Sequence, residues 1–155
     1  MINISPYKGS AGAWVNPADN QASAPSPAPN QPNTAQAVVD AAYSLLGAPY
    51  VYGGEYWSQG GFDCSGLTRF AYRSAGIVIP RTASQQWNGI KEKVTDPIPG
   101  DIIVFSRNGD IYHVGIYLGN NKMIHSPEPG KFVEVKDLTW HYANNRVHGF
   151  LRPTK

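Results

Sequence analysis

Apolar positions along the chain follow two successive periods. Val38, Val39, Ala42, Leu45 and Leu46 share one helical face, with Thr34 placed as N-cap and Gly47 as the stop. A second helix is predicted from Cys64 to Ser74, capped by Asp63, burying Leu67, Phe70 and Ala71, and ended by Gly76. A short third helix covers Ala83–Trp87 and stops at Gly89. After Pro99 the period drops to two and β-branched residues accumulate. Strands are therefore predicted over Ile102–Phe105, Ile111–Leu118, Lys122–Ser126, Phe132–Val135 and Val147–Leu151. Turns fall at Pro99-Gly100-Asp101, Asn108-Gly109 and Asn120-Asn121. Helices first and an antiparallel meander afterwards make an α+β domain, its N-terminal helices packed on five to six antiparallel strands.

Neither period extends into residues 1–34, which read as an N-terminal extension and linker ahead of a domain over residues 35–155. Residues 1–35 hold six of the thirteen prolines and only two charges, Lys8 and Asp19. Residues 16–34 have the composition of a semi-rigid, partly polyproline II linker that cannot offset its own ordering entropy. Tyr7 and Trp14 mark residues 1–15 as either a strand tucked onto a neighbour or the stub of a preceding module.

The 155 residues suffice for one domain. With a formal charge of +2 and no two adjacent Lys/Arg residues, the chain lacks the clustered basic face that nucleic acid requires. Mild positive charge suits an anionic polymer such as a cell wall. No apolar run approaches the ~20 residues of a membrane helix. No secretory signal pattern is visible, so the expectation is delivery by another route or a piece of a longer chain. The single cysteine excludes an intramolecular disulfide and a thiolate-rich zinc site. Nothing in the sequence calls for a metal or a cofactor.

Cys64 is therefore either inert filling or a reagent. At the first turn of a predicted helix, unpaired N–H groups and the positive dipole end favour a thiolate, and a nearby histidine would favour it further. Of the four histidines, His113 and His125 fall on adjacent predicted strands, whereas His141 and His148 have no identifiable partner and read as structural. A general base must reach the sulfur and be held by a third group. Hairpin register decides whether His113 and His125 meet. A two-residue loop at Asn120-Asn121 pairs Ile116 with His125 and puts the two histidines on opposite faces. A three-residue loop, Gly119-Asn120-Asn121, pairs Gly115 with His125 and makes the histidines diagonal neighbours on one face. The three-residue loop is the expectation, since Gly115 leaves that diagonal open.

Several segments together resemble the NlpC/P60 cysteine peptidases. They are Phe62-Asp63-Cys64-Ser65-Gly66-Leu67, Pro99-Gly100-Asp101-Ile102-Ile103-Val104-Phe105, His113-Val114-Gly115-Ile116-Tyr117-Leu118-Gly119 and Met123-Ile124-His125. Pro49-Tyr50-Val51-Tyr52-Gly53-Gly54 and Pro80-Arg81-Thr82, with Gln86, also fit, so the resemblance covers residues 35–152. It implies a papain-like α+β fold in which Cys64 is the nucleophile, His113 the base and His125 the polar residue orienting it. It also implies that Tyr50, Asp63, Ser65 and Arg81 line the substrate-binding subsite, where the free amine of a short peptide is received. Asp63 offers that amine a carboxylate while also serving as the helix cap, two roles that compete or alternate. Tyr52 and Ala83 depart from the family pattern, which often has Trp and Ser there.

The implied activity is hydrolysis of peptidoglycan stem peptides, at the bond from the D-glutamate side-chain carboxyl to diaminopimelate or lysine, through a thioacyl enzyme. Action at the bacterial cell wall is the corresponding expectation, by a monomer or one domain of a larger assembly. Rival readings are an amidase cutting between muramic acid and L-Ala, acyl transfer on another substrate, and a wall-peptide-binding module whose catalysis is lost or masked by Tyr7 or Trp14.

Overall fold

The computed structural model describes residues 33–154; the N-terminal extension, with Tyr7, Trp14 and nearly all of the linker, lies outside the described residues. Helix α1 (Asn33–Tyr43) ends in a turn that reaches Gly47 at φ +83°. Thr34 lies inside its first turn and so is not its cap, correcting the expected start. Val38, Val39, Ala42 and Leu45 are fully buried, as their spacing required.

A small hairpin follows that the sequence pattern did not announce. Strands β1 (Glu55–Tyr56) and β2 (Gly61–Phe62) pair antiparallel around a single 3-10 turn, Trp57–Gln59. Each strand is only two residues long, too short to carry a period. Helix α2 (Cys64–Ser74) starts immediately afterwards, with Asp63 as N-cap. Helix α3 (Ala83–Gly89) is capped by Thr82, whose hydroxyl accepts from the Gln85 N–H while the Gln85 side chain accepts from the Thr82 N–H.

The remaining strands are β3 (Lys93–Val94), β4 (Ile102–Arg107), β5 (Asp110–Gly119), β6 (Lys122–His125), β7 (Glu134–Asp137) and β8 (Val147–Leu151), with a short helix α4 (Thr139–Ala143) before the last. They form one six-stranded antiparallel sheet in the order β3-β8-β4-β5-β6-β7. The expected meander holds for β4 to β7 only. Strand β8 crosses to the other side of β4 and inserts between it and β3. Ile102 and Val104 of β4 face the large core shared with Val38, Val39, Leu67 and Ala71, while Ile103 and Phe105 join Met123, Leu138 and Phe150 in a second cluster. Both faces of β4 are buried, which is why its sequence is a continuous apolar run. Among the described residues no helix is long and apolar enough to cross a membrane.

The β4–β5 turn is the two-residue Asn108-Gly109 turn expected, with φ +53° and +85°. The β5–β6 turn differs from expectation. Gly119 pairs with Lys122 around a two-residue turn, Asn120-Asn121, at φ +51° and +62°. The third residue that the loop was meant to supply is taken up within β5, by a bulge between Tyr117 and Gly119, with Gly119 at φ +81°. Past the bulge the pairs are Tyr117–Met123 and Ile116–Ile124. That register, carried one step further, sets Gly115 beside His125, where a Cβ on Gly115 would lie 3.2 Å from the His125 Cβ. The face-sharing of the two histidines is thus achieved by a bulge in place of a longer loop.

Strand β7 also begins two residues later than predicted. Phe132 and Val133 pair instead with the segment after α1, through a Phe132–Pro49 bridge and hydrogen bonds from the Val133 N–H to the Ala48 carbonyl and from the Gly47 N–H to the Val133 carbonyl.

The start of α2 lies so close to the Gly54 backbone that a Cβ on Gly66 would stand 1.8 Å from the Gly54 carbonyl oxygen. Gly66→Ala is expected to lower the unfolding free energy by about 3 kcal/mol, read as a fall in the urea midpoint, because neither backbone segment has room to yield.

Candidate active site

Asp63 fixes the start of α2. Its backbone is extended (φ −91°, ψ −177°), and its Oδ1 accepts from the Gly66 N–H at 2.7 Å. Its Oδ2 accepts from the Gly53 N–H at 2.9 Å and from Arg81 at 3.0 Å, and its own N–H donates to the Gly54 carbonyl. Arg81 also donates to the Ser65 Oγ at 2.8 Å. Burial alone would lower the Arg81 pKa, but its hydrogen bond to Asp63 and the charges of Asp63 and Glu55 hold it above the usual value. Glu55 in turn pairs with Arg69, Arg73 and Arg81 at 3.3, 3.4 and 3.5 Å. Three guanidiniums thus share two carboxylates, Glu55 and Asp63. Tyr50 joins the same group: burial raises its phenol pKa, and Cys64 and Asp63 raise it further.

Cys64, the first residue of α2, is half-buried and free. Burial pushes its thiol up, and Asp63 adds to this. Backbone N–H groups of Val114 and Ser65 directed at the sulfur, and Arg81, act the other way without reversing the shift. The helix-end N–H groups that favour a thiolate are thus opposed by loss of solvation, the largest influence on this thiol. The Val114 contact brings the sulfur against β5 at the residue that follows His113 in the chain. Among the described residues no hydrogen bond joins Cys64 to His113; in unliganded enzymes such contacts are often long.

His113 and His125 are both buried, and His113 Nε2 lies 2.7 Å from His125 Nδ1. With Nε2 engaged, Nδ1 is the His113 nitrogen free for proton exchange. Burial pushes the His113 pKa well below the ordinary value, with His125 and His141 adding to the shift. Burial likewise lowers His125 to about 3, aided by His141 and Lys136. His125 Nε2 is 2.8 Å from the Glu134 Oε2, a contact that by itself favours the charged ring. The imidazole is 6% exposed and the carboxylate 46%, and burial of the ring outweighs that contact, so it donates as neutral N–H.

The structure therefore gathers Cys64, Tyr50, Asp63, Ser65 and Arg81 around the start of α2 and joins His113 of β5 to His125 of β6. His141 is buried with Nδ1 unpartnered, its ring 4.7 Å from Phe105 and not bonded to the other histidines. His148 donates to or accepts from the Ser106 Oγ at 2.9 Å and meets Trp87 edge-on, away from the site. Tyr52 is exposed and Ala83 is buried at the start of α3. Two carboxylates escaped sequence reasoning. Glu55 lies in a strand with no period, and Glu134 faces His125 only because of the register across a long connection. Among the described residues no cluster of three His, Cys, Asp or Glu side chains is spaced to hold a metal ion.

The NlpC/P60 family model matches residues 47–152, and the chain belongs to that family. A gamma-D-glutamyl-L-lysine dipeptidyl-peptidase of Bacillus subtilis is 38% identical over 117 residues, 73% of this chain and 39% of that protein. A bifunctional muramidase/DL-endopeptidase of the same organism is 35% identical over 122 residues, 76% of this chain and 36% of that protein. The chain thus spans less than two fifths of the length of these two relatives. A crystal structure of an NlpC/P60 family protein from Bacillus cereus superposes with a TM-score of 0.69 at 33% identity, covering 83% of this chain and 41% of that one. The papain-like α+β fold implied by the resemblance agrees with this neighbour.

The upward push of burial on the Cys64 thiol has a direct consequence. Alkylation of Cys64 by iodoacetamide is expected to be slow near neutrality and to rise through a midpoint above that of an ordinary thiol, about 8.5. A rate that stays on a plateau down to about pH 6 would instead reveal a resting thiolate–imidazolium pair.

Proposed function

We propose that this NlpC/P60 domain hydrolyses peptidoglycan stem peptides at the bond between the D-glutamate γ-carboxyl and diaminopimelate or lysine, with Cys64 as nucleophile, His113 as base and His125 as its orienting group. The observation that carries the reading is the 2.7 Å His113–His125 contact, which commits one nitrogen of His113 and leaves the other uncommitted, on the residue that precedes the thiol's β5 neighbour Val114. Family membership and the gamma-D-glutamyl name of the Bacillus subtilis relative support the choice of bond.

On this reading the Cys64 sulfur attacks the γ-carbonyl carbon as its proton passes to His113 Nδ1. The oxyanion forms next to the start of α2, where the Cys64 backbone N–H is a natural donor. His113 then returns the proton to the departing amine, the carbon–nitrogen bond breaks, and a thioacyl enzyme remains. Water attacks the thioester, with His113 taking its proton and giving it back to the sulfur. Substrate enters with the free amine of its L-Ala near Tyr50 and Asp63. Because Asp63 is already paired with Arg81, the amine meets a largely neutralised carboxylate, and the Tyr50 hydroxyl is its second acceptor. The place of action is the bacterial cell wall.

Incubation with L-Ala-γ-D-Glu-diaminopimelate-D-Ala, followed by mass analysis, is expected to release L-Ala-D-Glu. Cys64→Ala is expected to lower that rate by at least about 1,000-fold. Cleavage only of intact sacculi, at the muramic acid–L-Ala bond, would replace this reading with the amidase; turnover retained in Cys64→Ala would remove the nucleophile.

A further inference from the structure

We propose that Glu134 is a positioning residue that sets the protonation pattern of both histidines, so that His113 presents an unprotonated Nδ1 to the thiol. The inference rests on His113 acting as the base.

The argument runs along two short contacts. A carboxylate can only accept, and a neutral imidazole carries one N–H. The 2.8 Å approach of Glu134 Oε2 to His125 Nε2 therefore places the His125 proton on Nε2. His125 Nδ1 is then an acceptor, so the 2.7 Å contact with His113 Nε2 places the His113 proton on that nitrogen. His113 Nδ1 is left with its lone pair. Without Glu134 the histidine–histidine contact reads equally well in either direction. In the reverse direction His113 carries its proton on Nδ1 and cannot take one from sulfur.

The fold builds this contact in. Glu134 of β7 is the direct cross-strand partner of His125 of β6, so their side chains project from the same face. No other acceptor hydrogen-bonds to His125 among the described residues. The charged and titratable surroundings of the pair are His113 from β5, Lys136 from β7, His141 from α4, and Glu128 and Lys131 from the β6–β7 connection. The nearby cations oppose a charged His125 ring, which keeps the relay in its neutral form.

Two variants separate relay from scaffold. Glu134→Leu removes the acceptor, while Glu134→Lys offers a donor and so favours the reversed pattern. Because Glu134 is half-exposed on an edge strand, both variants are expected to keep the melting temperature of the parent. In histidine-15N-labelled protein, both parent rings are expected to carry the proton on Nε2, and Glu134→Lys to move the His113 proton to Nδ1. On the stem peptide, kcat is expected to fall about 10-fold in Glu134→Leu and about 100-fold in Glu134→Lys, with KM unchanged. The proposal is overturned if parent His113 is protonated on Nδ1, or if both variants keep the parent pattern and kcat. Equal losses in both variants with a raised KM would likewise overturn it, in favour of a scaffold role. If the parent cleaves no stem peptide, the proposed function fails, while the nitrogen spectra still decide the relay.

Discussion

The Asp63 carboxylate is the constraint on which the rest of the site depends. It is 8% exposed, and a buried carboxylate is tolerated only when its acceptor sites are filled. Here they are filled by groups from three separate segments: the Gly66 N–H of α2, the Gly53 N–H of the preceding loop and the Arg81 guanidinium ahead of α3. One side chain therefore fixes where α2 starts, and Cys64 is the next residue. Of the two roles foreseen for Asp63, the structure shows the helix cap, and its two oxygens have separate partners. Oδ1 faces the helix, and Oδ2 faces Gly53 and Arg81. Capping thus persists whatever happens on the other side.

Arg81 needs support of its own, and the β1–β2 hairpin supplies it. Glu55 holds Arg69 and Arg73 of α2 as well as Arg81, so hairpin, helix and loop are tied by one carboxylate. Arg73 also covers the Tyr56 ring at 4.3 Å and donates to the Glu55 carbonyl. These pairs are partly exposed and individually contribute little, so their value lies in orientation. An Arg81 held from two sides has fewer positions available to it, and it delivers Ser65 and Asp63 together.

What the sequence disclosed follows the range of the interactions involved. The Asp63 cap, the Gly76 stop and the Asn108-Gly109 turn rest on a few adjacent residues, and each stands where local chemistry put it. Cys64, His113 and His125 were legible as candidates because few residue types do nucleophilic chemistry. Features that depend on distant partners were not legible. Thr34 looked like a cap, yet the helix already includes Asn33. Phe132 and Val133 looked like strand residues beside β6, yet the segment after α1 claims them. The β5 bulge reproduces the register of a longer loop, so the histidine pairing was inferred correctly through the wrong turn. Glu134 was hidden for the same reason: the β6–β7 connection is no tight hairpin, and its length does not fix a register. At Cys64 the helix-end electrostatics are local and readable, whereas the desolvation that pushes its thiol up is a property of the finished fold.

Burial decides how such a site can work. Burial pushes the Cys64 thiol up and the His113 ring down, so it disfavours the charged form of each. The same burial makes an imidazolium expensive at the moment sulfur attacks. In the proposed reaction that charge exists only while negative charge exists on the substrate oxygen. In that reaction burial disfavours separated charges at each step, which favours attack and proton transfer occurring together. The N–H groups of Val114 and Ser65 aimed at the sulfur act within the same constraint. They offset part of the desolvation of the sulfur without reversing it.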